Sequence, residues 1–129
     1  MVKLGLGGKI GSGKQWVSWV ALNDILRVMI QSIDDPTMVG TFHVSSPNSV
    51  TNEEMMRTYR RLLGRKFGFA SPALLVKFGA PILGSNASLA LTGRRVMPTN
   101  LLSHGFTFET PNFEEAVKQA LRACNLLKD

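Results

Sequence analysis

The sequence has few of the side chains that most often bind metals or form covalent links. Its 129 residues include one cysteine, Cys124, two histidines, His43 and His104, and one tyrosine, Tyr59. A single cysteine excludes an internal disulfide and a cysteine-cluster metal site, and two histidines make a zinc site hard to assemble. We therefore expect no metal in this chain.

Long uninterrupted apolar runs are also missing. The most apolar region, residues 72–93, is interrupted by Lys77, Pro81 and Asn86, so it does not offer the ~20 apolar residues of a membrane span. The N-terminal residues contain no apolar core of a signal peptide. These absences predict a soluble, cytoplasmic protein with no membrane partner.

Charge is the compositional feature that stands out. The 15 Lys and Arg outnumber the 9 Asp and Glu, which gives a net charge of +6. Such a balance permits anionic partners, either nucleic acid or a phosphorylated ligand, but it informs about association and not about fold. The length and the 44% of hydrophobic residues are those of one globular domain.

One glycine-rich stretch has the spacing of a phosphate-binding loop. Gly8 is followed after four residues by Gly13 and Lys14. The loop of nucleotide triphosphatases continues with Ser or Thr and then a helix, because the hydroxyl binds magnesium and the helix N-terminus faces the phosphates. Here Gln15 follows the lysine, and residues 16–20 favour a strand. We interpret the stretch as a mobile surface loop.

The pattern along the chain predicts an α/β protein, in an α+β-like arrangement of a few short strands and four to five helices. Asn23 or Asp24 is the predicted cap of the first helix, and Thr51 with Glu54 has the spacing of a capping box. The predicted strands are 16–20 and 41–46, residues 65–69 are extended, and the segment 94–109 combines a short strand, a helical turn from Pro98 and extended chain. The predicted helices are 24–33, 51–64, 71–80, 84–93 and 112–127.

Four stretches, taken in order, resemble a known family. They are "KLGLGGKIGSGKQWVSWVALNDIL", "TFHVSSPNSVTNEEM", "LTGRRVMP" and "LLSHGFTFETPNFEEAV". The same order is found in the C-terminal part of epimerase family proteins, atypical extended short-chain dehydrogenase/reductases that are similar to NAD-dependent epimerases and dehydratases. The resemblance covers nearly the whole chain.

The resemblance implies that residues 1–129 are a single C-terminal domain of a longer protein. Family members begin with a Rossmann domain, whose glycine-rich turn binds NAD or NADP and whose Tyr-x-x-x-Lys pair performs acid/base chemistry. Neither motif occurs here, because Tyr59 is followed at the fourth position by Leu63. We therefore expect no catalytic and no cofactor-binding residues in this chain, and no activity without the Rossmann half as its partner.

The same resemblance indicates where a substrate binds. Related sugar-nucleotide epimerases carry Gly-x-Gly-x-Gln and, two residues on, a phosphate-binding arginine. This sequence keeps the glycines and Gln15 but has Val17 in place of the arginine, so bidentate phosphate binding there is lost. A sugar-nucleotide substrate is thereby in doubt, with Lys14 or Arg94 as substitutes. The predicted substrate-binding residues are Gln15, Trp16, Arg94 and Arg95.

Other candidates have structural explanations that we favour. Trp19 faces away from Trp16 on an extended strand, so it packs internally. Asp24 corresponds to an acidic residue of the family and is interpreted as a helix cap. His43 and His104 have no acidic neighbour in sequence and are assigned structural roles.

Four arginines at helical spacing in residues 57–65 form either an anion-binding stripe or a solvated, salt-bridged helix face. Glu53 and Glu54 lie one turn before Arg57, which favours the salt-bridged face.

Two functions from different classes follow. The first is the substrate-binding C-terminal part of an NAD(P)-dependent, sugar-nucleotide epimerase/dehydratase-like oxidoreductase, which binds a small-molecule substrate and is not catalytically competent alone. The second is a free-standing basic module that binds nucleic acid or another anion, and it rests only on charge and the arginine stripe. We also expect exposed apolar surface that faces the missing half and supports a homodimer or larger assembly.

Overall fold

The computed structural model describes residue 2, residues 7–70 and residues 91–127 of the chain. Its two-stranded antiparallel sheet consists of β1 (Trp16–Val17) and β2 (Val50–Thr51), with Trp16 opposite Thr51 and Val17 opposite Val50. The helices with described bounds are α1 (Leu22–Asp34), α2 (Asn52–Leu62), α3 (Thr99–Ser103) and α4 (Phe113–Ala123). The predicted α/β class is confirmed.

The strands differ from the prediction in length and place. The predicted strand 16–20 shortens to β1, the predicted strand 41–46 is extended chain without a ladder, and β2 was missed. Between the two predicted strands the backbone hydrogen bond in the described residues runs from Ser46 N to Trp19 O, at 2.7 Å. A strand forms only against a partner, so extended, apolar sequence alone was not sufficient.

The helix ends follow local side-chain signals closely. Thr51 caps α2, its hydroxyl accepting from Glu54 N while Glu54 accepts from Thr51 N at 2.8 Å, as the capping-box spacing predicted. At the other end Gly64, with φ of 64°, donates to Arg61 O, and Arg65 N donates to Arg60 O. This pair of bonds is a Schellman motif, which explains why α2 ends at Leu62.

The last helices also start where polar or restricted residues predict. α3 begins after Pro98, and Asn112 caps α4 by accepting from Glu114 N at 2.9 Å. α4 ends at Ala123, four residues before the predicted end. The predicted helices over 71–80 and most of 84–93 lie outside the described residues.

The core lies between α1, α3 and the extended chain that follows α3. Val28, Leu101, Phe106 and Phe108 are buried together, and the two phenylalanine rings meet edge to face with centroids 5.0 Å apart. Half-buried residues from the extended segments pack around them; these are Val20, Met38, Phe42 and Val44. The core therefore joins parts of the chain that are about 80 residues apart.

We predict that Thr51→Ala lowers the free energy of unfolding by about 1 kcal/mol at pH 7, the usual cost of losing a threonine cap. The hydrogen bonds from Thr51 N–H and its hydroxyl lower the pKa of Glu54 below its ordinary value of 4.5. The folded state therefore holds the Glu54 proton less tightly than the unfolded chain. The stabilisation is complete above pH 4.5 and is lost as the pH falls through the lowered pKa of the folded state.

Urea denaturation at pH 7 and pH 3 measures this difference. Thr51→Ser is the control, since it keeps the hydroxyl, and should stay close to the wild type. A Thr51→Ala deficit that is equal at both pH values would contradict the assigned role of ionised Glu54.

Candidate functional site

The glycine loop before β1 is fixed onto the start of α2. Ile10 N donates to Asn52 Oδ1 at 2.8 Å, and Glu53 N donates to Gly13 O at 3.0 Å. Gly13 is buried with φ of 73°, a backbone conformation that favours glycine. The loop carbonyls thus occupy the first N–H groups of α2, and the loop is hydrogen-bonded in place instead of being the predicted mobile loop.

Gln15 belongs to the same network. Its side-chain Nε2 donates to Ile10 O at 2.9 Å, and its backbone carbonyl oxygen accepts from Asn52 N at 2.9 Å. The side chain is half-buried. The loop therefore holds Gln15 next to the start of β1.

A second segment, residues 93–96, packs directly against β1. Gly93 lies so close that an added Cβ would clash with the backbone N and O of Trp16 and stand 2.7 Å from the Gln15 carbonyl carbon. Ser18 Oγ donates to Arg94 O and accepts from Val96 N, both at 2.9 Å. The absence of a side chain at position 93 thus allows two distant segments to meet.

The contact sets the segment that carries Arg94 and Arg95 against Gln15 and Trp16, the other two residues predicted to bind substrate. The Arg95 guanidinium lies over the Trp16 ring, 4.9 Å from its centroid, a cation–π geometry. Trp16, Arg94 and Arg95 are exposed, and no carboxylate in the described part of the chain forms an ion pair with either arginine. We call Gln15, Trp16, Arg94 and Arg95 the Trp16 surface. Its exposed side chains are those of Trp16, Arg94 and Arg95, whereas the Gln15 amide is held inside, with Nε2 bonded to Ile10 O and Oε1 buried.

Asp24 has a different role from the predicted one. α1 begins at Leu22 after Ala21, which makes no side-chain cap, so the prediction that Asn23 or Asp24 caps the helix is wrong. Asp24 is instead fully buried, and its two carboxylate oxygens accept from Glu109 N at 2.9 Å and Thr110 N at 3.2 Å. Two backbone donors, one of them buried, are thereby satisfied by one side chain.

Arg27, one turn further along α1, was missed by the sequence analysis. It donates to Asp24 at 3.1 Å and to Thr107 O at 2.8 Å, and it pairs with Glu109 at 3.2 Å. Its guanidinium also lies 5.0 Å from the Phe106 ring centroid. The three-residue spacing of Asp24 and Arg27 could have indicated that these two side chains pair on α1. Their partners on residues 107–110 lie more than 70 residues away, and nothing in the sequence indicated those contacts. We call Asp24, Arg27 and Glu109 the α1 latch.

Trp19 packs internally, as predicted. Its Nε1 donates to Asn48 O at 2.7 Å, and its ring meets Phe113 of α4 edge to face at 5.2 Å. Tyr59 contacts the same phenylalanine at 5.8 Å, and burial raises the pKa of its hydroxyl above 10.0. These rings join the chain after β1 to α2 and α4.

The arginines of α2 form the predicted salt-bridged face. Arg57 pairs with Glu53 at 3.7 Å one turn away, and Arg61 pairs with Glu114 of α4. Arg60 donates to Gly7 O. These contacts reduce the case for an anion-binding stripe, although the partner of Arg61 came from another helix and was not foreseen.

His104 makes structural contacts, as predicted. His104 Nδ1 lies 2.9 Å from Asn100 O, and its ring meets Phe42 edge to face at 5.0 Å. His43 is exposed. Among the described residues, no group of three or more His, Cys, Asp or Glu is placed to hold a metal ion. None of the described helices is long and apolar enough to cross a membrane.

The sequence is similar to several epimerase family proteins. A family model described as "Domain of unknown function (DUF1731)" matches residues 71–120. An epimerase family protein of Staphylococcus haemolyticus is 31% identical over 94% of this chain and 40% of its own length. The human epimerase family protein SDR39U1 is 30% identical over 91% of this chain and 39% of its own length.

Solved structures show the same relationship. The crystal structure of human SDR39U1 (isoform 2) with NADPH superposes with a TM-score of 0.78 at 29% identity, over 91% of this chain and 39% of that chain. A nucleoside-diphosphate sugar epimerase from Corynebacterium glutamicum has a TM-score of 0.62 at 24% identity, over 98% of this chain and 26% of that chain, which shows the fold alone.

The fold is thus that of the α/β portion found in epimerase-like proteins. The chain resembles the C-terminal part of epimerase family proteins, as its four motifs predicted, and it spans about two fifths of the length of the Staphylococcus haemolyticus and human relatives.

We predict that Gly93→Ala separates the segment 93–96 from β1, because the new Cβ meets backbone atoms that cannot rotate away. The expected loss in free energy of unfolding is about 2 kcal/mol, within the range for overpacked sites. The tryptophan emission should also shift to longer wavelength as Trp16 loses its neighbours.

Gly40→Ala is the matched control. Gly40 has φ of 100° and open space around it. An alanine at this position therefore strains the backbone but meets no other atom and leaves the contact at Trp16 unchanged. Unchanged stability and emission in Gly93→Ala would show that the two segments do not meet as described.

Proposed function

We propose that this chain is the substrate-binding C-terminal part of an NAD(P)-dependent oxidoreductase of the epimerase/dehydratase type. The observation that carries the proposal is the contact of Gly93 with Trp16, since it sets the segment of Arg94 and Arg95 against the one that carries Gln15 and Trp16. The similarity to epimerase family proteins supports it.

The cofactor belongs to another part of the longer protein in this proposal. The human relative was crystallised with NADPH, and this chain aligns with 39% of it. The sequence here has no glycine-rich dinucleotide fingerprint after a strand and no Tyr-x-x-x-Lys pair. Residues 1–129 therefore act as one substrate-side domain that binds no NAD or NADP and catalyses nothing alone.

The substrate we propose is a small molecule with an anionic group, of which a sugar nucleotide is the leading class. The two exposed arginines attract a phosphate, and the exposed Trp16 ring, with Arg95 over one face, can pack against the ligand. Gln15 contributes by holding the loop beside β1 through its bond to Ile10 O. Val17 supplies no cation at the position of the family's arginine. In this arrangement Arg94 and Arg95 take over the binding of phosphate.

A basic module for nucleic acid is the weaker alternative. Its support was the net charge of +6 and the arginines of α2, but Arg57 and Arg61 are engaged with Glu53 and Glu114. The two exposed cations of the Trp16 surface, Arg94 and Arg95, suit one small anion better than the many phosphates of a nucleic-acid backbone.

Calorimetric titration of the chain with UDP-glucose and with NADPH tests the proposal. We expect weak binding of UDP-glucose, reduced at least about tenfold by Arg94→Ala with Arg95→Ala, since charge-assisted hydrogen bonds contribute about 1.5–3 kcal/mol. Arg65→Ala, an exposed arginine outside the Trp16 surface, is the control and should bind as the wild type does.

NADPH should give no measurable heat in the same experiment. Micromolar binding of NADPH would contradict the assignment of the cofactor to another part of the protein. UDP-glucose binding that ignores both arginines would contradict the assignment of the substrate surface.

A further inference from the structure

Ser18 stands where the chain after β1 meets the segment 93–96. It directly follows β1, and its Oγ donates to Arg94 O and accepts from Val96 N, both at 2.9 Å. A serine hydroxyl has a single proton to donate, and that proton and one acceptor position are both used on the same segment. Ser18 therefore binds two backbone groups of the segment that carries Arg94 and Arg95.

These two backbone groups lie on either side of Arg95. Arg94 O belongs to the peptide unit before the Cα of Arg95, and Val96 N belongs to the peptide unit after it. Because each peptide unit is planar, holding both units restricts φ and ψ of the residue between them. The Ser18 hydroxyl thus sets the direction in which the Arg95 side chain leaves the backbone.

The Arg95 side chain reaches the Trp16 ring from this point. Its guanidinium carbon lies 4.9 Å from the ring centroid, and both side chains are exposed. At an exposed site a cation–π contact stabilises an arginine by less than the rotamer entropy that the arginine loses when it is held. The contact therefore needs a backbone that already directs Arg95 toward Trp16.

Packing supplies little of that restraint. Residues 93–95 are exposed and Val96 is half-buried, and the next buried side chain along the segment is that of Pro98, just before α3. The described hydrogen bonds to the backbone of residues 94–96 come from Ser18. The hydroxyl of Ser18 is thus the main polar restraint that the structure describes on the backbone at Arg95.

We infer that Ser18 is a positioning residue of the Trp16 surface: its hydroxyl restrains the backbone of Arg95 and so holds the Arg95 guanidinium over Trp16, ready for an anionic ligand. A cation that is already in place binds with less loss of conformational entropy on association. The effect on the ligand rests on the proposed function of the Trp16 surface, whereas the position of Arg95 does not.

Proton NMR of the Arg95 side chain tests the positioning without a ligand. Protons held over an aromatic ring resonate upfield of their random-coil positions, and we expect this shift in the wild type. Ser18→Ala should move the Arg95 resonances back toward random coil, whereas Ser18→Thr, which keeps the hydroxyl, should retain the shift. Comparison with Arg95→Ala assigns the resonances, and circular dichroism confirms that each variant is folded.

Ser46→Ala is the matched control. Ser46 Oγ also donates to one backbone oxygen and accepts from one backbone nitrogen, those of Pro111 and Asn48, which are not part of the Trp16 surface. Its loss should leave the Arg95 resonances unchanged. A general effect of removing a bridging hydroxyl is thereby separated from an effect on Arg95.

Calorimetric titration with UDP-glucose measures the consequence for binding. Ser18→Ala should weaken binding about fivefold, the effect of one net hydrogen bond on an equilibrium constant. Ser18→Thr and Ser46→Ala should bind as the wild type does. In an Arg95→Ala background Ser18→Ala should cause no further loss, because Ser18 acts through Arg95.

Arg95 resonances that are the same in Ser18→Ala as in the wild type, or that lose their shift in Ser18→Thr as well, overturn the inference. An undiminished further loss of affinity in the Arg95→Ala background also overturns it. If the wild type binds no UDP-glucose, the proposed function fails, and the Arg95 resonances alone decide whether Ser18 positions Arg95.

Discussion

The buried carboxylate of Asp24 is the interaction on which the arrangement of this chain depends. It lies in the first turn of α1 and accepts from the backbone of Glu109 and Thr110, 85 and 86 residues further along. A buried carboxylate without donors would cost several kcal/mol, so Asp24 and the segment 109–110 have to stay together. Arg27 adds bonds to Thr107 and Glu109 on the same segment.

The α1 latch fixes the position of the chain around β1, and the candidate site forms on β1. Four residues separate β1 from α1, and two residues separate Thr110 from α4, so the bonds of Asp24 join the chain that follows β1 to the chain that precedes α4. Trp19 then packs on Phe113 of α4, and Arg61 reaches Glu114. With β1 held in this way, the segment that carries Gly93, Arg94 and Arg95 has a fixed edge to pack against, and Trp16 remains at the surface.

Features whose partners lie close in sequence could be predicted, and features whose partners lie far away could not. The capping box of Thr51 and Glu54 and the helix stop at Gly64 involve residues at most five apart. The partners of Asp24 and Arg61 lie more than 50 residues away, so the pattern suggested only a cap and a local ion pair. The grouping of Gln15 and Trp16 with Arg94 and Arg95 came from family resemblance, because no local signal joins segments 76 residues apart. The predicted length of the strand 16–20 was wrong because the length of a strand depends on the chain that pairs with it.

Amide hydrogen exchange at Glu109 and Thr110 tests the role of Asp24 most directly. Both amides lie outside the helices, so their protection comes from the carboxylate that accepts from them. We expect both to exchange at least about 100-fold slower than in an unstructured peptide, and to lose this protection selectively in Asp24→Ala. Exchange at the unstructured rate in the wild type, or equal protection in Asp24→Ala, would contradict the account.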